Sequence, residues 1–261
     1  LFPRQIIIQN DSVLNEFALV PAKRIILILR RLKTMPDPIS WTHAAPFLLT
    51  ALAFGYLLGS VPFGLVLTRL AGLGDIRAIG SGNIGATNVL RTGNKSLALA
   101  TLILDSGKGG AAVLLAVSFG PDTAVCAGVG AMLGHTFPIW LGFKGGKGVA
   151  TAMGTLLALS WPIGLIACGT WLGVAMLFRI SSLSALAALA TAPMWAWGFG
   201  LAQIAEVALA ILVLVAYRHK GNIRRLVTGQ EPKMSFGRKN NGASSPADST
   251  ENDSATGRSG T

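Results

Sequence analysis

From Pro46 to Tyr217 the chain alternates apolar runs with short interruptions made of glycine, proline and a few charged residues. Read with a window of about 19 residues, the runs predict membrane spans at 46–70, 96–119, 122–141, 148–160, 162–178, 184–200 and 203–217. The fourth is short, and its border with the fifth at Trp161-Pro162 is the least sharp. The pattern therefore predicts an all-α polytopic membrane protein with about seven transmembrane helices.

Composition agrees with the pattern. The 261 residues are 51% hydrophobic and 13% charged, with 32 glycines and a mean hydropathy of +0.57; a soluble domain carries about 25% charged residues. The formal net charge of +11 would suggest nucleic acid in a soluble protein. Here the basic residues stand at the ends of apolar runs, where lipid head groups and topology account for them, and no aromatic-plus-basic stacking pattern accompanies them. The bilayer, not nucleic acid, is the partner that composition implies. Cys126 and Cys168 fall inside apolar segments and read as buried thiols, without a disulfide framework or zinc spacing.

Charge also sets an orientation. Arg69, Arg77, Arg91, Lys95, Lys144, Lys147, Arg179 and the group Arg218, Lys220, Arg224 and Arg225 fall at one set of run ends, whereas the connections at 118–123, 160–162 and 199–203 carry no Lys or Arg. The positive-inside rule then predicts N-terminus out, C-terminus in, and the first set of loops on the cytoplasmic side.

Both chain ends differ from the middle. Residues 1–45 hold apolar stretches too brief to span and read as an N-terminal extension, with 1–34 expected to be non-native and the functional protein to start near Met35. A truncation starting at Met35 that lost insertion or activity would refute this. The membrane domain is 46–233. The tail 234–261, rich in Ser, Gly, Asn and charge, reads as disordered.

Several interruptions carry chemistry. The stretch 77–91 sets glycines at 80, 82 and 85 among Ser81, Asn83, Thr87 and Asn88, between two arginines. Free backbone N–H groups, neutral hydrogen-bonding side chains and guanidinium groups suit an oxyanion, most plausibly a phosphate; alone, such clusters are more often turns. Gly59 and Gly64 in the first run read as close helix packing, as part of this site, or as both together. Asp105 and Lys108, three residues apart, interrupt a span with Gly107, Gly109 and Gly110. They are either a mutually neutralised pair locking helices or a phosphate-binding lysine oriented by its acid. His135 in Gly134-His135-Thr136-Phe137-Pro138 is either a packing residue or a neutral imidazole donating to substrate. Lys144-Gly145-Gly146-Lys147-Gly148 leads into a helix, so that backbone N–H groups, a helix N-terminus and ammonium groups converge. It lacks Walker A spacing, so no nucleotide is inferred. Basic residues at 217–226 are usually topology determinants, a job for which Asn222 and Glu231 are not needed.

The sequence has no His-x4-Asp acyltransferase pair, no Gly-x-Ser-x-Gly elbow, no metal-ligand cluster and no paired aspartates for Mg²⁺. A site without cofactor or metal is expected. Gly-Ser-Val-Pro-Phe-Gly at 59–64, Asp-Ile-Arg with Gly-Ser-Gly-Asn-Ile-Gly-Ala-Thr-Asn at 75–88, Asp-Ser-Gly-Lys-Gly at 105–109, Gly-His-Thr-Phe-Pro at 134–138, Gly-Gly-Lys-Gly-Val-Ala-Thr at 145–151 and the Arg-His…Asn-Ile…Glu tail come in one order. Together they resemble the bacterial membrane acyl-phosphate:glycerol-3-phosphate acyltransferases, the PlsY family, over roughly residues 45–232.

The resemblance implies transfer of a fatty acyl group from acyl phosphate to the 1-hydroxyl of sn-glycerol 3-phosphate, giving lysophosphatidic acid and phosphate. It implies that Arg77, Ser81, Asn83 and Lys108 act on phosphoryl or carbonyl oxygens, with Gly80, Gly82, Thr87, Asn88 and Gly109 around them. Lys144, Gly145, Gly146, Lys147, Gly148 and Thr151 would cradle glycerol phosphate. His219, Asn222 and Glu231 match its third motif, and His135 lies beside the site. Between substrate phosphate and an imidazole as the base, the substrate is preferred. The competing class is a carrier or channel for organic phosphates. The oligomeric state is open, a monomer being among the options.

Overall fold

The structure is a computed structural model that describes residues 40–234. The expected extension before residue 40 and nearly all of the expected disordered tail lie outside the described residues. Those described form helices α1 (Trp41–Gly59), α2 (Phe63–Leu70), α3 (Ala86–Val89), α4 (Lys95–Ala116), α5 (Pro121–Thr136), α6 (Val149–Leu159), α7 (Trp161–Phe178), α8 (Ser181–Gly198), α9 (Ala202–Arg218) and α10 (Lys220–Val227), and no strand. Each of the seven apolar runs is helical, which makes this an all-α polytopic membrane protein.

Two boundaries depart from the sequence pattern. The first run starts at Trp41 and breaks at residues 60–62, because Pro62 has no N–H to donate and disfavours helical backbone at Val61. The third ends at Thr136, since Pro138 follows. Not every one of the seven helical runs meets a length-and-hydropathy test for a span by itself. Among the described residues, four stretches are long and apolar enough by themselves to cross a membrane: Trp41–Leu70, Lys95–Phe119, Pro121–Leu141 and Trp161–Phe178. A fifth is obtained if α9 and α10, bent by 72° at His219, are one span. Helix α6, with 11 residues, reaches only about 16 Å at 1.5 Å per residue, and α8 is diluted by Ser181, Ser182 and Ser184 at its start.

Glycine lets the helices meet. In lipid, association depends on close van der Waals contact rather than on a hydrophobic driving force. Between α1 and α5, a Cβ on Gly59 would lie 2.1 Å from the Ala131 carbonyl oxygen, and one on Gly134 would lie 2.1 Å from that of Tyr56. Close packing is thus the role of Gly59. Gly134→Val should destabilise the protein by about 1–3 kcal/mol through overpacking. Gly169→Val on α7, where nothing lies within 4 Å, should be silent. Equal melting temperatures for the two variants in detergent would refute the packing role.

Gly109 and Thr151, expected at the substrate, are placed differently. Both are buried where α4 crosses α6, a Cβ on Gly109 falling 2.5 Å from the Thr151 carbonyl oxygen. They pack helices. Beyond them, α6 to α9 share an apolar core that includes Leu156, Ile163, Leu189, Val207 and Ile211.

The two ends of the bundle differ in chemistry. At one end, the loops around 75–94, 137–148 and 179–180 and the segment 218–234 are tied together by hydrogen bonds. At the other, Gln203 donates to Asp122 (2.7 Å).

Candidate active site

The loop after α2 is held by two side chains. Asp75 accepts from the Arg77 backbone N–H (3.0 Å) and from its guanidinium (2.6 Å at the shortest), with Arg69 at 3.1 Å. Hydrogen bonding from Arg77 holds the Asp75 carboxyl well below the usual carboxylate range. Arg77 is thereby aimed by Asp75, and stays 39% exposed.

Asn88 holds the rest. Its amide nitrogen donates to the carbonyls of Ile76 (3.0 Å), Ile79 (3.0 Å) and Asn83 (2.8 Å), and its oxygen accepts from the Ser81 N–H (3.1 Å), the Ser81 hydroxyl (3.3 Å) and Arg91 (3.4 Å). At 1% exposure, with both polar atoms engaged, it is the internal clamp of the loop. Gly80 and Gly82, at φ +57° and +68°, make the turn that brings Ser81 to the clamp. Asn83 supplies its carbonyl to the same clamp, while Ser81 and Thr87 are exposed, Thr87 lying 3.5 Å from the Ser181 hydroxyl.

The second glycine loop is fastened differently from the expectation. The N–H groups of Gly145 and Gly146 donate inward, to Thr136 (3.2 Å) and His135 (3.0 Å), and their carbonyls accept from Arg218 (2.6 and 3.2 Å). Those two amides are therefore spent on the protein. What remains for an anion is the N-terminal end of α6, which follows Gly148 (φ +82°), and the Lys147 ammonium. Lys144 is exposed. Lys147 is half-buried and donates to Asn222 (2.6 Å). Burial lowers its pKa; Glu231 opposes this, while Arg225, Arg91 and Arg218 lower it further. Four cations thus share a field with one carboxylate.

That carboxylate is the hub of the segment after α9. Glu231 accepts from the Ser182 hydroxyl (2.7 Å), the Asn222 amide and the Arg225 guanidinium (2.7 Å). Burial pushes its pKa up, but these hydrogen bonds and the Arg225 charge outweigh it, and the net shift is downward. A carboxyl with a depressed folded-state pKa stabilises fully above its unfolded value and loses that contribution as pH falls toward the folded one. The melting-temperature gap between wild type and Glu231→Gln should therefore be constant near neutrality and shrink as pH drops below the ordinary carboxylate range. A gap independent of pH would refute this. Nearby, His219 is buried with Nδ1 donating to the Val215 carbonyl (2.8 Å), which leaves Nε2 as the basic nitrogen.

Lys108 and His135 lie deeper. Lys108, with its side chain 1% exposed, donates to the Val61 carbonyl (2.7 Å) freed by the break in the first run and sits 2.8 Å from Asp105 Oδ1. Its ammonium is engaged by these two partners and is buried in the bundle. His135 Nδ1 is 3.7 Å from the same carboxylate oxygen.

Residues 49–229 match the family model described as "Glycerol-3-phosphate acyltransferase". The chain belongs to this family. A relative of that name from Paramagnetospirillum magneticum is 64% identical over 188 residues, covering 72% of this chain and 94% of the relative. One from Rhodospirillum rubrum is 63% identical, covering 69% and 88%. Among solved structures, the glycerol 3-phosphate form of PlsY (YgiH), an integral membrane glycerol 3-phosphate acyltransferase, matches with a TM-score of 0.68 at 40% identity, over 72% of this chain and 96% of that one. Its lysophosphatidic acid form matches at 0.67 and 39%. The enzyme is thus a membrane glycerol-3-phosphate acyltransferase, and the carrier reading falls away.

The fold brings Lys147, His219, Asn222 and Glu231 to one place from distant parts of the chain. Sequence reasoning did not put Asp75, Arg218, Arg225 or Ser182 among the site residues, and took Arg91 only as one end of the 77–91 stretch. Arg218 and Arg225 were read as topology charges, although Arg218 stands in the Arg-His of the tail motif beside His219.

Proposed function

We propose that the enzyme takes acyl phosphate as donor and acylates the 1-hydroxyl of sn-glycerol 3-phosphate, releasing lysophosphatidic acid and phosphate at the cytoplasmic face of a bacterial inner membrane. The observation that carries the reading is the excess of positive charge around Lys147, where Arg91, Arg218 and Arg225 face one carboxylate. A phosphate dianion offsets most of that excess. The N-out, C-in orientation is supported by the gathering of these cations at one end of the bundle.

In this reading Lys147 and the start of α6 hold the phosphate of glycerol 3-phosphate, and Asn222 holds Lys147. Arg77 and Ser81, exposed and aimed by Asp75 and Asn88, meet the acyl phosphate. Asn88 and Asn83 shape the loop that carries them, and Gly145 and Gly146 let the second glycine loop approach His135. The hydroxyl oxygen of the acceptor attacks the acyl carbon, the ester bond forms, and the bond from acyl carbon to phosphate oxygen breaks. Acyl phosphate is a mixed anhydride and already activated, so positioning and charge stabilisation supply most of the acceleration. The hydroxyl proton passes to a substrate phosphate, whose second pKa is about 6. His219→Ala and His135→Ala should then each retain turnover within about tenfold of wild type; a loss near 10³ in either would make the imidazole the base.

Purified protein given palmitoyl phosphate and labelled glycerol 3-phosphate, with chelator and no added metal, should yield labelled lysophosphatidic acid. Product only with another acyl donor, or only on adding metal, would overturn the proposal. Labelling of engineered cysteines near Lys144 from the cytoplasmic side alone checks the orientation.

A further inference from the structure

Asp105 is a carboxylate in the middle of α4, 1% exposed, and no step above uses it. An acid at such a depth is costly unless its partners fix it. Its partners point in two directions. One is Lys108, 2.8 Å away, which closes the Val61 carbonyl at the break between α1 and α2 and lies over the Phe63 ring at 5.6 Å. The other is His135 Nδ1, a buried nitrogen with no hydrogen-bond partner, at 3.7 Å, an ion-pair distance rather than a hydrogen bond. The far side of that imidazole backs the second glycine loop: a Cβ on Gly146 would lie 2.1 Å from Nε2, and the Gly146 N–H donates to the His135 carbonyl. A line of contacts thus runs from the helix break through Lys108, Asp105 and His135 to the residue before Lys147.

We propose that Asp105 is a positioning residue for acyl transfer, setting the imidazole of His135 against Gly146 and so fixing where Lys147 presents its ammonium group, while holding Lys108 on the break in the first span. The inference rests on the reading of the Lys147 loop as the glycerol 3-phosphate site. Tilting the imidazole displaces the loop, because Gly146 has no slack against Nε2. The acyl phosphate side is formed by the separate loop clamped by Asn88, and is untouched.

The test is kinetic. Asp105→Asn should raise the KM for glycerol 3-phosphate about 10–100-fold, leave the KM for palmitoyl phosphate within about twofold, and shrink the rise in melting temperature that glycerol 3-phosphate produces. A second variant, Asp105→Asn with Lys108→Met, leaves no unpaired buried charge. It should fold and keep the raised KM, because His135 still lacks its carboxylate. Lys147→Ala is the control: if it leaves the KM for glycerol 3-phosphate unchanged, the reading of the loop fails. If it raises that KM while both Asp105 variants behave as wild type, the positioning role alone is overturned. Failure of both Asp105 variants to give folded protein would also overturn it, leaving Asp105 a purely structural residue.

Discussion

Lys147→Ala is expected to lower kcat/KM for glycerol 3-phosphate about 10³-fold, while the protein stays inserted and folded. Lys147 is half-buried, and burial together with the fields of Arg91, Arg218 and Arg225 works against its charge. Such an arrangement is unfavourable until an anion arrives, and a phosphate dianion relieves it at the position of the ammonium group. Partial exclusion of water strengthens the contact beyond that of a surface lysine. Removing the ammonium also orphans the Asn222 oxygen that accepts from it, so the Asn222–Glu231 contact loosens as well. The effect should fall chiefly on the KM for glycerol 3-phosphate, with a smaller fall in kcat. Lys144→Ala, at an exposed position, should cost less than about tenfold. Steady-state kinetics of reconstituted enzyme would check both, and a Lys147→Ala variant within tenfold of wild type would remove the loop from the site. Because long-range attraction contributes to capture, raising the salt concentration should increase the KM of wild type more than that of Lys147→Ala.

What the sequence made legible, and what it hid, divides by the range of the interaction. Apolar runs and their Gly and Pro borders are local, and every run became a helix. The ordered motifs were also local and led to the correct family. Pairings between distant residues were not legible. Nothing adjacent to Arg218 says that its guanidinium fastens the carbonyls of Gly145 and Gly146, and nothing near Lys108 points to the Val61 carbonyl exposed by Pro62. Glycine was the most ambiguous residue. Gly80 and Gly82 shape a loop, Gly59, Gly109 and Gly134 bring helices together, and Gly146 lies against an imidazole. These uses look alike in a sequence, because each follows from the same missing Cβ. Direction was hidden too: a glycine-rich loop before a helix suggests outward N–H groups, yet two of them point into the protein.

Asn88 poses the sharpest case, and Asn88→Asp should be the most damaging isosteric change in the molecule. The substitution keeps the volume and the oxygen that accepts from Ser81 and Arg91, but replaces the amide nitrogen with a second oxygen. That oxygen would face the carbonyls of Ile76, Ile79 and Asn83 at 2.8–3.0 Å in a site 1% exposed. Three acceptors lose their donor and meet an acceptor instead, a penalty of about 3–5 kcal/mol borne by one loop. The loop's apolar anchors, Ile76, Ile84 and Val89, pack with Leu65 and Ala98 in a small cluster separate from the core shared by α6 to α9, so the loop should open while those helices remain packed. Activity should fall at least about 10³-fold through misplacement of Arg77 and Ser81, and trypsin should cut at Arg77 and Arg91 far faster than in wild type. Asn88→Ala removes the donor without adding a charge and should be milder on both measures. A substrate ligand would behave differently: Asp and Ala would both lose binding, and neither would change cleavage of the loop. Unaltered trypsin sensitivity in Asn88→Asp would therefore return Asn88 from clamp to ligand. If the loop opens instead, the asparagine in the motif is explained by the carbonyls it gathers, and the exposed Ser81 and Arg77 are the groups that the clamp exists to present.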